Sequence, residues 1–238
     1  MSVWYCVPSA RQPQETTFAL WAAKGYRIAV WRDPGAVDIP EAHLTLNGPY
    51  PGYAVASNRL VQAVLLADKT CDWVVCGGDD IEPDAAHGPE EIAQECSDWR
   101  ADTFGVMQPT GDRWGDDQLA RHMYGENRGA YIDRICGSPW IGREFALRIN
   151  GGKGPFWPEY RHMFLDEELQ EVAQKLGVLW QRRDLIHLHN HWGRKLGATP
   201  ADCPEHLREV SGREHWEESK ALFNARKEAG FPGHEALA

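Results

Sequence analysis

The stretch WVVCGGDDIEPD, residues 73 to 84, carries a short apolar run straight into two glycines and then into Asp79, Asp80, Glu82 and Asp84. Carboxylates gathered at the end of a buried strand lose hydration and repel one another, so they need a cation or hydrogen-bond donors close by. A hard divalent ion suits oxygen ligands, and Mg2+ or Mn2+ typically uses one or two protein carboxylates together with a substrate diphosphate. Read alone, the pair equally describes a solvated Asp-rich turn with Asp80 capping a helix. A second cluster, LIHLHNHW, alternates His187, His189 and His191. In extended chain residues two apart face the same side, which lets the imidazoles converge as metal ligands. The third cluster, Asp166-Glu167-Glu168, opens an amphipathic helix. Carboxylates favour a helix's first turn through the macrodipole, and one held above a metal site also serves to deprotonate an acceptor hydroxyl.

These residues need elements that hold them. SVWYCV reads as a strand ending at Pro8-Ser9, and ETTFALWAAKGY as a helix stopped by Gly25. RIAVW is a second strand ending at the turn signal Arg32-Asp33-Pro34-Gly35, with a Pro- and Gly-rich loop expected to about residue 52. GYAVASNRLVQAVLLADK then reads as a helix and DWVVCGG as the third strand. Strand, helix, strand, helix, strand predicts an α/β fold with a mostly parallel sheet and crossover helices. In such sheets ligands bind at the carboxyl ends of the strands, which sets Pro8 to Arg11, Asp33 and Asp79-Asp80 along one rim. Further on, EEIAQECSDW reads as a helix, TFGVMQP as a strand, residues 111 to 162 as loops over the rim, and FLDEELQEVAQKLG as a helix. VLWQRRDLIHLHNHW is expected to be extended, and the tail from Pro204 to form one or two surface helices with solvated charges.

With 238 residues, the chain is expected to be a single domain: a first half to about residue 110, a second from 111 to 200 and a helical tail from 204. A net charge of −10 argues against a generally basic nucleic-acid coat. The N-terminus has no signal-peptide pattern and no run reaches the ~18 apolar residues of a membrane span, so a cytoplasmic protein without a membrane partner is expected. Six cysteines without a CxxC pair point to buried thiols rather than disulfides or a zinc knuckle.

In this order the motifs resemble the metal-dependent glycosyltransferases of the GT-A fold, the compact family-two-like type, over about residues 3 to 195. The resemblance rests on the strand ending in PSAR, Asp33 after the second strand, AVASNRLVQAV, GGDD as the Asp-x-Asp-type element, FLDEEL and HLHNHWGR. It implies a UDP-sugar donor and Mn2+ or Mg2+. Pro8, Ser9, Arg11, Asp33, Asn58, Arg59, Gly78 and Asp79 would bind the nucleotide sugar. Asp80 with His189 or His187 would hold the metal against the diphosphate. Asp166 would deprotonate the acceptor in an inverting displacement, the roles trading if Glu167 points inward. Gly77-Gly78 would leave room for a ribose or diphosphate.

Residues 121 to 162 hold seven Lys or Arg against four Asp or Glu, interleaved with aromatics including Tyr124, Tyr131, Trp140 and Trp157. Positive charge mixed with rings suits a polyanion with stackable bases, and Trp140, Arg143 and Trp157 are the acceptor-binding candidates. The compact type is similar to bacteriophage enzymes, some of which glycosylate hydroxymethylated pyrimidines, so 5-hydroxymethylcytosine in DNA is the expected acceptor, with a surface polysaccharide or other glycan as the alternative. A monomer or small homo-oligomer is expected. Two rivals remain: a metallohydrolase built on His187, His189 and His191 with Asp79 or Asp80, and a carbohydrate-binding protein that keeps the fold without turnover.

Overall fold

VWYCV in β1 (Val3–Pro8) is buried at every position, which a strand achieves only inside a sheet covered on both faces. The computed structural model, which describes residues 1–112, 135–194, 198–208 and 212–235, puts it inside a seven-stranded sheet, third from one edge. β1 runs parallel to β2 (Arg27–Arg32), with Cys6 opposite Ala29, and to β4 (Trp73–Cys76), with Cys6 opposite Cys76. β3 (Ala42–Asn47) extends the sheet beyond β2 in parallel. On the other side β4 is followed by β7 (Trp140–Gly142), β6 (Val106–Pro109) and β8 (Leu179–Arg182), giving the order β3-β2-β1-β4-β7-β6-β8. β7 alone runs against its neighbours. The expected α/β architecture, a mostly parallel sheet flanked by helices, is the one observed.

Strand alternation divides the core in two. Val3, Tyr5 and Val7 pack with α1 (Phe18–Ala23) and α3 (Pro89–Trp99), whereas Trp4 and Cys6 pack with the opposite helix layer. That second layer holds α2 (Tyr53–Ala67), α4 (Arg143–Gly152), α5 (Leu165–Lys175) and, after the short α6 (Glu205–Arg208), α7 (Arg213–Glu228). All six cysteines are free and buried. None of the described helices is long and apolar enough to cross a membrane.

Three expectations change. The loop expected up to residue 52 contains β3, because AHLTLN alternates half-buried and exposed positions as an edge strand does, between flanks rich in Pro and Gly. The region expected as loops over the rim contributes β7 and α4 to the framework, while residues 113–134, with Tyr124 and Tyr131, lie outside the described residues. The tail is not merely solvated: Phe223 and Arg226 of α7 are buried against α5.

Candidate active site

β1 and β4 are adjacent and parallel, so the turns that follow them emerge at the same end of the sheet. Ser9 and Arg11 come from the first turn and Asp79 and Asp80 from the second. Ser9 Oγ donates to Asp79 Oδ2 at 2.6 Å, and Arg11 Nη2 donates to Asp80 Oδ2 at 3.1 Å. Arg11 Nε also lies 3.0 Å from Asp79 Oδ1, although its N–H is not aimed at that oxygen. The backbone is pinned on both sides, with Thr17 N donating to Asp79 O at 2.9 Å and Asn190 N to Asp80 O at 2.8 Å. Burial pushes the Asp79 carboxyl up to about 6, against the Arg11 charge and the Ser9 hydrogen bond. Burial also acts to raise Asp80, but the hydrogen bond and charge of His189 and the charge of Arg11 outweigh it and hold Asp80 well below the usual range.

A residue that reads in the sequence only as part of a turn signal supports this corner. Arg32, 1% exposed at the end of β2, donates from Nη1 to Ser9 O at 2.7 Å and to Arg11 O at 2.8 Å. Its signal was an arginine closing the apolar strand RIAVWR; such a residue is buried only if backbone carbonyls receive its donors.

The histidines arrive through a small antiparallel pair, β5 (Ile81–Glu82) with β9 (Leu188–His189), in which Ile81 stands opposite His189. This register sets His189 Nε2 3.3 Å from Asp80 Oδ1, and the His191 ring 5.3 Å from the His189 ring. Asp112 holds the segment by accepting from His189 N at 3.2 Å and from Arg194 Nη1 at 2.8 Å. His187 does not join them. It is buried, with Nδ1 3.0 Å from Ser138 Oγ and its ring edge-on to Trp21 at 5.1 Å. The strand begins only at Leu188, so the two-residue period that would align the three rings does not reach back to His187.

The third element is the start of α5. Phe164 precedes it in left-handed backbone, φ 68°, and Asp166 and Glu167 face the same cavity as the aspartates. Burial, the Asp166 charge and a hydrogen bond between the two carboxyls push Glu167 up to about 10. Glu168 turns inward instead, accepting from Tyr160 Oη at 2.7 Å and from Arg226 Nη2 at 2.7 Å.

The cavity holds about 530 Å3, within the range of small-molecule sites, and is lined by Pro8, Ser9, Arg11, Asp33, Gly78, Asp79, Asp80, Asp166, Glu167 and His189. Asp33 Oδ1 accepts from Tyr50 N at 3.0 Å. The sequence reading did not anticipate Tyr50, Tyr53, Arg161, Phe164 or Trp216 in its wall. Two ligands at about 2.1 Å and right angles on one ion stand about 3 Å apart, so Asp80 Oδ1 and His189 Nε2 suit a pair of adjacent ligands. Among the described residues no cluster of three or more His, Cys, Asp or Glu side chains is placed to hold a metal.

Other expected residues lie outside the cavity wall. Asn58 is buried and clasps the Phe156 backbone, donating to its O at 2.7 Å and accepting from its N at 3.0 Å. Arg59 is exposed, its guanidinium 5.6 Å from the centre of the Trp31 ring. Trp140 is fully buried, as expected for a ring whose ~200 Å2 removed from water contributes up to ~5 kcal/mol at ~25 cal/mol per Å2. Arg143 donates to the carbonyls of Cys71 (2.9 Å), Leu65 (3.0 Å) and Asp68 (2.6 Å), next to the start of β4 and away from the rim. Trp157 lies under Arg226, 3.6 Å from the guanidinium carbon. Nor do the glycines clear space for a ligand alone: a Cβ at Gly77 would meet Tyr5 Oη at 2.7 Å, and one at Gly78 would meet Asp80 Oδ1 at 2.7 Å.

No family model and no curated protein matches the chain. Among solved structures it is similar to a mutant of Drosophila beta-1,4-galactosyltransferase 7 in complex with manganese, UDP-Gal and xylobiose, at 13% identity over 90% of this chain and 82% of that one, TM-score 0.44. It is also similar to a glycosyltransferase involved in the glycosylation of the major capsid of PBCV-1, at 10% identity over 88% of this chain and 100% of that one, TM-score 0.42.

Proposed function

We propose that the chain is a glycosyltransferase that moves a sugar from a nucleotide diphosphate donor, a UDP-sugar, to a hydroxyl group. The observation that carries this reading is the meeting, in one cavity at the carboxyl end of a parallel sheet, of a carboxylate–imidazole pair with two carboxyls on the start of a helix. Asp80 and His189 would hold Mn2+ or Mg2+, with His191 beside them. That ion would supply positive charge to the departing diphosphate. Pro8, Ser9 and Asp33 line the side where a base and ribose would lie, and Arg11 adds a cation toward the diphosphate. Asp166 takes the proton from the attacking hydroxyl, while Glu167, kept protonated by its surroundings, donates its hydrogen bond to Asp166 and holds that carboxylate in place. Displacement in one step gives inversion.

The metallohydrolase alternative loses support because His187 is directed into the core. The DNA acceptor loses three of its contacts, because Trp140, Arg143 and Trp157 are used by the framework, while the part of its basic, aromatic segment up to residue 134 lies outside the described residues. A glycan hydroxyl is therefore the acceptor proposed. The test offers labelled UDP-glucose and a panel of other nucleotide sugars, with Mn2+, to polysaccharide and to DNA containing 5-hydroxymethylcytosine. Label on a glycan, abolished by Asp166→Asn with donor binding retained, is expected. Free sugar released without any need for an acceptor would sink the transferase reading, and label on the hydroxymethylated DNA alone would restore the DNA acceptor.

A further inference from the structure

The acceptor hydroxyl must come within hydrogen-bond reach of the α5 carboxyls, so the rest of the acceptor has to lie against whatever flanks the start of that helix. Two rings do so. Phe164, two residues before Asp166, and Trp216, on the first turns of α7, stand with ring centroids 5.7 Å apart at 55°, and both line the cavity. Both are only half-buried. Phe164 holds a backbone conformation, φ 68°, that costs a non-glycine residue about 1–3 kcal/mol and tends to persist where a site needs it. Its ring rests against Phe223 of α7 at 5.6 Å, which fixes its tilt. Lys220 Nζ lies 4.5 Å from the centre of the Trp216 ring and covers one face of the indole.

Resting on the glycosyltransferase reading, we infer that Trp216, with Phe164 set across it, is the acceptor platform, and that the acceptor presents the C–H face of a pyranose ring to it. A flat base flipped from a duplex is commonly held between stacked groups, which need parallel faces about 7 Å apart to admit it. Rings inclined at 55° form a corner instead, which accepts a puckered ring against one wall. The corner belongs to a helix that the sequence presents as a charged tail, so the C-terminal segment is part of the substrate site.

Saturation-transfer NMR on the full chain with Mg2+ and UDP would test this, using the methyl β-pyranosides of glucose, galactose and xylose, and 5-hydroxymethyldeoxycytidine, as probes. Calorimetric titration of UDP runs in parallel. At least one pyranoside is expected to receive saturation mainly on the ring protons of one face, with the signal falling at least five-fold in Trp216→Ala and surviving in Trp216→Phe. UDP affinity should stay within two-fold in both variants, which also reports that they fold. A pyranoside signal unchanged in Trp216→Ala, or saturation reaching only the nucleoside, would overturn the platform. Failure of the unaltered protein to bind UDP would overturn the parent reading instead.

Discussion

Asp80 and His189 are separated by more than a hundred positions, yet the 3.3 Å between them depends on one short strand pair, so their partnership can be tested at single atoms. Asp80→Asn keeps the shape and removes the charge. Mn2+ affinity in the presence of UDP, measured by electron paramagnetic resonance, should fall at least ten-fold, while UDP alone binds as before. Glu167 offers a pH prediction. Its carboxyl rises from 4.5 to about 10 on folding, so the stability it contributes is complete below about 4.5 and is lost as pH climbs through about 10. Glu167→Gln cannot ionise, so its melting temperature should decline less than that of the unaltered protein between pH 6 and 9. Equal slopes in a calorimetric series would remove Glu167 as a proton holder.

Elements are joined here by buried polar clasps. Arg226, 7% exposed on α7, meets Glu168, 3% exposed on α5, through contacts of 2.7, 2.9 and 3.1 Å. This contact orients the turn that carries Asp166 and Glu167. Arg226→Met should cost about 3–5 kcal/mol in urea unfolding by stranding the Glu168 charge, whereas pairing it with Glu168→Met should recover most of the loss. A double variant no more stable than the single one would show that Glu168 is not the stranded charge. Arg143 makes the converse point. Its three carbonyl contacts near the end of α2 predict that Arg143→Ala lowers stability by about 2 kcal/mol and leaves the KM for acceptor unchanged.

For the whole molecule, the two halves of the proposed metal shell, protein and diphosphate, should report on each other. UDP and Mn2+ together should raise the melting temperature well beyond the sum of their separate effects, because each completes the other's site; mass action gives about 2.7 kcal/mol at a hundred-fold excess over Kd. A strictly additive shift in a thermal scan would argue against a shared site. The molecule supports such a cavity by placing the turns after β1 and β4 at the sheet's carboxyl end and by lining it also with residues of α5 and α7.

The βαβ core and the rim are legible in the sequence, because buried parallel strands read as continuous apolar runs and their turns as Pro, Gly and Asp. The rim turns supply Ser9, Arg11, Asp33, Asp79 and Asp80, and the separate acidic and histidine motifs supply Asp166, Glu167 and His189; all of them line one cavity. Packing between distant elements assigns the side chains whose type fits two roles. Asn58, Trp140, Arg143 and Trp157 have the chemistry of ligand contacts, but a buried ring or a satisfied donor is equally at home in a core, and local sequence does not record which partner lies nearby. His187 and His189 share a pattern and part company because the strand begins between them. Trp216 and Arg226 sit in a stretch that reads as solvated charge, and it is the packing of α7 on α5 that brings one to the cavity and the other into the interior.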